Sequence, residues 1–145
     1  MTTARHLATI DRLRSQPFPR ESGRTATGHS GAGYHIAALA VSEDFWDDDG
    51  TRRGLVQDQY EADRDGLSVL LTARWGPPQV FSLWSVFDRG MEGEEIPDPW
   101  DALSQSVPDV HLWRADGHWI ALGVSQWDKE QPFELLVTVT EIDPP

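Results

Sequence analysis

A chain of 145 residues with seven tryptophans and no cysteine can bury roughly 68–70% of its unfolded surface as one domain. It has no thiol for disulfides, thiolate catalysis or cysteine-ligated zinc. Its formal net charge of −12 makes contact with phosphate backbones or anionic membranes electrostatically uphill, so the composition argues against nucleic acid and membrane; it suits a soluble acidic protein and would also speed encounter with a basic partner.

The opening Met1-Thr-Thr-Ala-Arg-His6 lacks an apolar leader region, and no run approaches the roughly 20 apolar residues of a membrane span. The expected compartment is the cytoplasm. Leu7, Ile10 and Leu13 at helical spacing predict a helix over 3–16, stopped by Pro17. Residues 17–33 are rich in Pro, Gly, Ser and Thr and poor in apolar side chains, which predicts a flexible loop. Tyr34–Val41 reads as a buried strand, with helix as its rival because alanine and leucine favour it. The segment Glu43-Asp44-Phe45-Trp46-Asp47-Asp48-Asp49-Gly50 ends in a turn.

Asp58 as N-cap, with Glu61 three residues on, predicts a helix over 59–74. Tyr60, Leu67, Leu70 and Leu71 form its apolar stripe, and Gly76-Pro77-Pro78 ends it. Gly66 in its middle costs about 1 kcal/mol against alanine; close packing by another element would explain it. Residues 79–87 are apolar on both faces, as in a strand covered on both sides. Asp98-Pro99-Trp100-Asp101 begins a short helix with Asp98 as N-cap and Pro99 at the first position. Its Trp100 and Leu103 face one way with Val107. Asp116-Gly117 is a type I′ hairpin turn, so Ala115 pairs with His118. That register puts Val110, Leu112, Arg114, Trp119, Ala121 and Gly123 on one face, and His111, Trp113, Ile120, Leu122 and Val124 on the other. In the last strand Phe133, Leu135, Val137 and Val139 point inward. Together these elements predict a single α+β domain: an antiparallel sheet of four to five strands with two main helices packed on one face.

The motifs carry little chemistry. Gly28-His29-Ser30-Gly31-Ala32 resembles the nucleophile elbow of lipases and esterases, but Ala32 replaces the final glycine and no apolar strand precedes it. Asp47, Asp48 and Asp49 offer oxygens to a hard cation, yet Arg52 and Arg53 follow immediately, and a solvated acidic turn fits them better. The five histidines form no metal-ligand pattern, and Gly31-Ala32-Gly33 stops short of a phosphate-binding loop. No cofactor, metal or catalytic residue is expected. Trp127 stands in the charged connection Ser125–Pro132, and Trp46 is flanked by acids. Each indole either folds back with its N–H bonded or anchors a partner.

The block Trp119–Leu135, with Ala73-Arg-Trp-Gly-Pro77 and Trp113-Arg-Ala-Asp-Gly117, resembles small acidic proteins of Streptomyces and related actinobacteria over about residues 56–140. That resemblance implies an actinobacterial source and a cytosolic setting and carries no catalytic residues. In size, acidity and aromatic content the chain is also similar to bacterial immunity proteins that neutralise toxins.

The expected function is therefore a non-enzymatic protein-binding domain, an immunity-type inhibitor of a basic toxin, with Trp46, Asp47, Asp48, Asp49, Trp127, Asp128 and Glu130 as interface candidates. The alternative is a small-ligand or hydrolytic site beside residues 28–35, built from His29, Ser30 and His35. A third reading is a homodimer formed through a sheet edge.

Overall fold

The computed structural model describes residues 2–145. In chain order the elements are α1 (Thr2–Ser15), β1 (Gly23–Arg24), β2 (Gly28–Gly31), β3 (Tyr34–Val41), α2 (Thr51–Trp75), β4 (Gln79–Ser82), α3 (Trp84–Met91), α4 (Trp100–Ser104), β5 (Asp109–Ala115), β6 (His118–Ser125) and β7 (Glu134–Thr140). The strands pair antiparallel in one sheet of order β1-β2-β3-β7-β6-β5-β4. The architecture is α+β, and the sheet has seven strands, against the four to five expected. No helix among the described residues is long and apolar enough to cross a membrane.

The added strands lie in the segment expected to be a flexible loop. β1 and β2 form an edge hairpin, with Gly23 opposite Ser30 and Arg24 opposite His29, and β2 continues onto β3 through His29 opposite Ile36 and Ser30 opposite His35. Their residues are glycine, serine, arginine and histidine, so no apolar alternation announces them; the ladder to β3 holds them.

The Asp116-Gly117 turn takes the left-handed backbone at both central residues, φ 53° and 80°, as a type I′ turn requires. Ala115 pairs with His118 and Trp113 with Ile120, so the expected register is the observed one. Its consequence is two cores. On one face Trp113, Ile120, Leu122 and Val124 pack with Ile10 and Leu13 of α1, Leu67 and Leu71 of α2, and Phe133, Leu135, Val137 and Val139. On the other Val110, Leu112 and Ala121 pack with Leu83 and Val86, Trp100 and Leu103, and Val107. The two long helices share one face as expected; α3 and α4 cover part of the second.

Two boundaries differ from expectation. The apolar run 79–87 splits, with β4 ending at Ser82 and α3 taking over. The N–H of Leu83 donates to the carbonyl of Pro108 at 2.9 Å, and Leu83 and Val86, three apart, are both fully buried. A run apolar on both faces fits either period, and here the helical one prevails. α2 begins at Thr51, not Gln59, behind Gly50 at φ 101°. Of its expected stripe, Leu67 and Leu71 are buried while Leu70 is exposed. At α4, Pro99 takes the cap position, but the Asp98 carboxylate still accepts the N–H of Ala102 at 3.2 Å.

Three tryptophans are tied in by their N–H groups. Trp100 donates to the carbonyl of Ile142 at 3.0 Å, Trp113 to that of Gly76 at 2.9 Å, and Trp119 to the Asp143 carboxylate at 2.9 Å.

Candidate functional site

The acidic segment before α2 is a helix cap. Gly50 has no side chain to cap with, so the aspartates before it do so. Asp48 accepts the N–H groups of Gly50 at 3.0 Å, Arg52 at 3.2 Å and Arg53 at 2.9 Å, and Asp49 accepts that of Thr51 at 3.0 Å. The Arg53 N–H above all, then those of Arg52 and Gly50, holds the Asp48 carboxyl below its ordinary range; the Thr51 N–H does the same for Asp49. Every donor of the first helical turn is thereby met, so these two carboxylates are structural groups first.

This cap is pinned to the 126–132 connection. The N–H of Phe45 donates to the Glu130 carbonyl at 2.9 Å, and that of Ser42 to the Phe133 carbonyl at 2.8 Å. The Arg53 guanidinium donates twice to Oε1 of Gln126, at 2.6 and 3.1 Å. Between the two segments opens a cleft of about 260 Å³, lined among others by Trp46, Asp48, Asp49, Arg53, Lys129 and Glu130. The Trp46 side chain stands 61% exposed, and its N–H makes no hydrogen bond among the described residues. Asp47 and Asp128 are exposed.

Trp127 is separated from this cleft. It is also 61% exposed with an unbonded N–H, but it walls a groove of about 300 Å³ on the second face of the sheet. Neither indole has folded back onto a carbonyl. The groove floor is His29 of β2, Ile36 of β3, and Glu134 and Leu136 of β7; α4 supplies Leu103. His29 is held by Tyr34, whose hydroxyl lies 2.9 Å from its Nε2. Glu134 is half-buried, has no hydrogen bond or ion pair among the described residues, and is pushed above the ordinary carboxylate range by burial. Sequence reasoning did not single out Glu134 or Leu136. The one signal was Leu136, an apolar residue among the β7 positions that face away from the first core.

Alternation along β2 and β3 divides the other candidates. His29 faces the groove, while Ser30 and His35 face the opposite core, both buried. Ser30 Oγ lies 2.6 Å from His35 Nδ1, and His35 Nε2 lies 3.1 Å from the Gln16 carbonyl. A carbonyl only accepts, so Nε2 carries the proton and Ser30 donates to Nδ1. The Phe18 ring lies 4.8 Å from the imidazole, centroid to centroid. This pair ties the edge hairpin to the end of α1. Ser30 sits within a strand, not on the strand-to-helix turn of a nucleophile elbow, and a backbone carbonyl takes the place of an orienting carboxylate.

Among the described residues no group of three or more His, Asp or Glu is placed to hold a metal ion. The fold and surface define an acidic α+β domain with exposed indoles on both sides of one antiparallel sheet. Comparison with protein-family models, with curated proteins and with solved structures finds no match to this chain.

Proposed function

We propose that this chain is a non-enzymatic, cytoplasmic protein-binding domain, an immunity-type inhibitor that covers a basic toxin domain. The observation that carries this reading is Trp46, 61% exposed beside a cleft lined by Asp48, Asp49 and Glu130 with Arg53 and Lys129, in a chain whose net charge is −12. An exposed indole with a free N–H is the side chain most suited to anchor a partner. A surrounding negative field steers a basic surface toward it. Asp47, Asp128 and Glu130 supply the charged rim, while Asp48 and Asp49 contribute field and hold the platform rigid through the α2 cap. Trp127 lies on the other face and is not part of this contact.

The test is calorimetric titration of this chain with the products of its neighbouring genes, among which a basic protein domain is expected. Binding is expected, weakened about thirtyfold or more by Trp46→Ala, as for an anchor worth about 2 kcal/mol, and weakened by added salt. Absence of binding, or full affinity in Trp46→Ala, refutes the proposal.

A further inference from the structure

We infer that the groove between α4 and the β2–β3–β7 face binds a small organic ammonium ion: an apolar or aromatic body carrying one protonated amine, with the ammonium at Glu134 and the body against Ile36, Leu103, Leu136 and Trp127. This site is independent of the Trp46 surface and of the protein-binding reading.

The groove has the size and lining such a ligand needs. Its volume of about 300 Å³ matches the lower end of small-molecule sites, which run from roughly 300 to 1,000 Å³ and are mainly apolar with a few placed polar groups. Here the apolar part is continuous: two sheet residues, one helix residue and an indole.

The polar part decides the charge. Glu134 is a half-buried carboxyl whose side chain makes no hydrogen bond or ion pair among the described residues, although Thr27, His29 and Ser106 also line the groove. Among the described residues no arginine or lysine lines the groove. Directly opposite Glu134 in the β6–β7 register lies Ser125. Paired residues share a face, so its hydroxyl is on the groove side of the sheet; it is 1% exposed and makes no hydrogen bond. One uncompensated carboxyl and one orphaned hydroxyl thus stand side by side, each normally satisfied when buried. A cation seated at Glu134 satisfies the first. An anion is repelled. A bare hard metal ion wants six or more oxygens, and this end of the groove offers one carboxylate. A cationic head on an apolar body meets both halves of the site, and the exposed indole adds a π face for either.

The experiment titrates the full chain with 2-phenylethylammonium chloride and, separately, with 2-phenylethanol, its neutral near-isostere, following amide and indole N–H resonances by NMR. Saturable binding of the ammonium is expected, with shifts centred on Trp127, Ile36 and Leu136. Affinity should be about tenfold or more weaker for the alcohol, and for the ammonium with Glu134→Gln. Ala102→Leu, which fills the groove from α4 and leaves Glu134 in place, should abolish binding of both, while Trp84→Ala, on α3 away from the groove, should not change it. The inference is overturned if the alcohol binds as tightly as the ammonium, if Glu134→Gln or Ala102→Leu retains native affinity while its spectrum remains folded, or if the shifts centre on the Trp46 cleft.

Discussion

Gly66 offers the cleanest test of the packing around α2. It lies inside a 25-residue helix, and a Cβ built there meets no atom within 4 Å. The close packing that would have explained a mid-helix glycine is absent. Gly66→Ala should therefore stabilise the protein by about 1 kcal/mol, from helix propensity and a less flexible unfolded chain. With an unfolding entropy of about 2.1 cal/mol/K per residue over 145 residues, that raises Tm by about 3 °C. Gly123→Ala is the counterpart. There the added Cβ would stand 2.7 Å from Val107 Cγ1 and 3.1 Å from the Asp109 carbonyl oxygen, so a loss of about 1–3 kcal/mol is expected. Scanning calorimetry of both variants beside the native chain reads the signs directly. A lower Tm for Gly66→Ala would refute the reasoning and mean that the α1–α2 surface around His6, Gly66 and Leu70 is covered more tightly than the structure places it.

Asp48→Ala removes the acceptor for three backbone N–H groups and should cost about 1–2 kcal/mol in urea unfolding, while Asp47→Ala should stay within about 0.5 kcal/mol; equal effects would contradict the cap. Ser30→Ala leaves the buried His35 Nδ1 without its donor and should cost about 1–3 kcal/mol; an unchanged urea midpoint would refute the clamp. His111, bonded to Ser68 at 2.9 Å, has its pKa lowered first by burial and then by Arg64, against partial opposition from Asp65 and Asp109. The unfolded chain then binds the proton more tightly, so this contribution is complete above the unfolded value of about 6.5 and is lost as pH falls through it toward the folded value. Native protein should lose more stability between pH 7.5 and pH 5 than His111→Gln does; parallel losses would refute the assignment.

What could be read from the chain was whatever its own neighbours in sequence determine. The Asp116-Gly117 hairpin is of that kind: two residues set the turn, the turn sets the register, and the register assigns Trp113 and Ile120 to one core and Leu112 and Ala121 to the other. Proline and glycine punctuation likewise marks the ends of α1 and α2. The edge strand β2 is different. Gly28-His29-Ser30-Gly31 has no intrinsic strand signal and is a strand because β3 presents a free ladder. The first two turns of α2 were hidden for a related reason: Gly50 reads as turn, and the capping groups of Asp48 and Asp49 lie outside the helix. Among the site candidates, the gathering of Trp46 with Glu130 depends on the Phe45–Glu130 hydrogen bond, a contact across more than eighty residues that no local pattern encodes. The parting of Trp127 from Trp46 depends on which side of the sheet the chain leaves after β6.

The groove beside Trp127 follows from unequal cover on the two faces. Seven strands at about 4.8 Å span about 29 Å across the sheet, and a helix covers about 10 Å of that width. On the first face α1 and α2, 14 and 25 residues long, lie over the centre. On the second, α3 and α4 have eight and five residues, roughly 12 Å and 8 Å of helix, gathered over Val110, Leu112 and Ala121. On the β2–β3 side of that face Ile36 and Leu136 pack into the edge of the second core, and the groove opens there beside Leu103 of α4. Selection for stability alone would close such a gap with a longer helix or roughen it with scattered charge. Instead the floor sets Ile36 and Leu136 beside His29 and Glu134, its one carboxyl stands where burial penalises ionisation, and a tryptophan walls it from a connection already fixed through Gln126 to Arg53. A short α4 is thus the structural condition for the site, because each added turn of that helix would cover the surface on which the ligand rests.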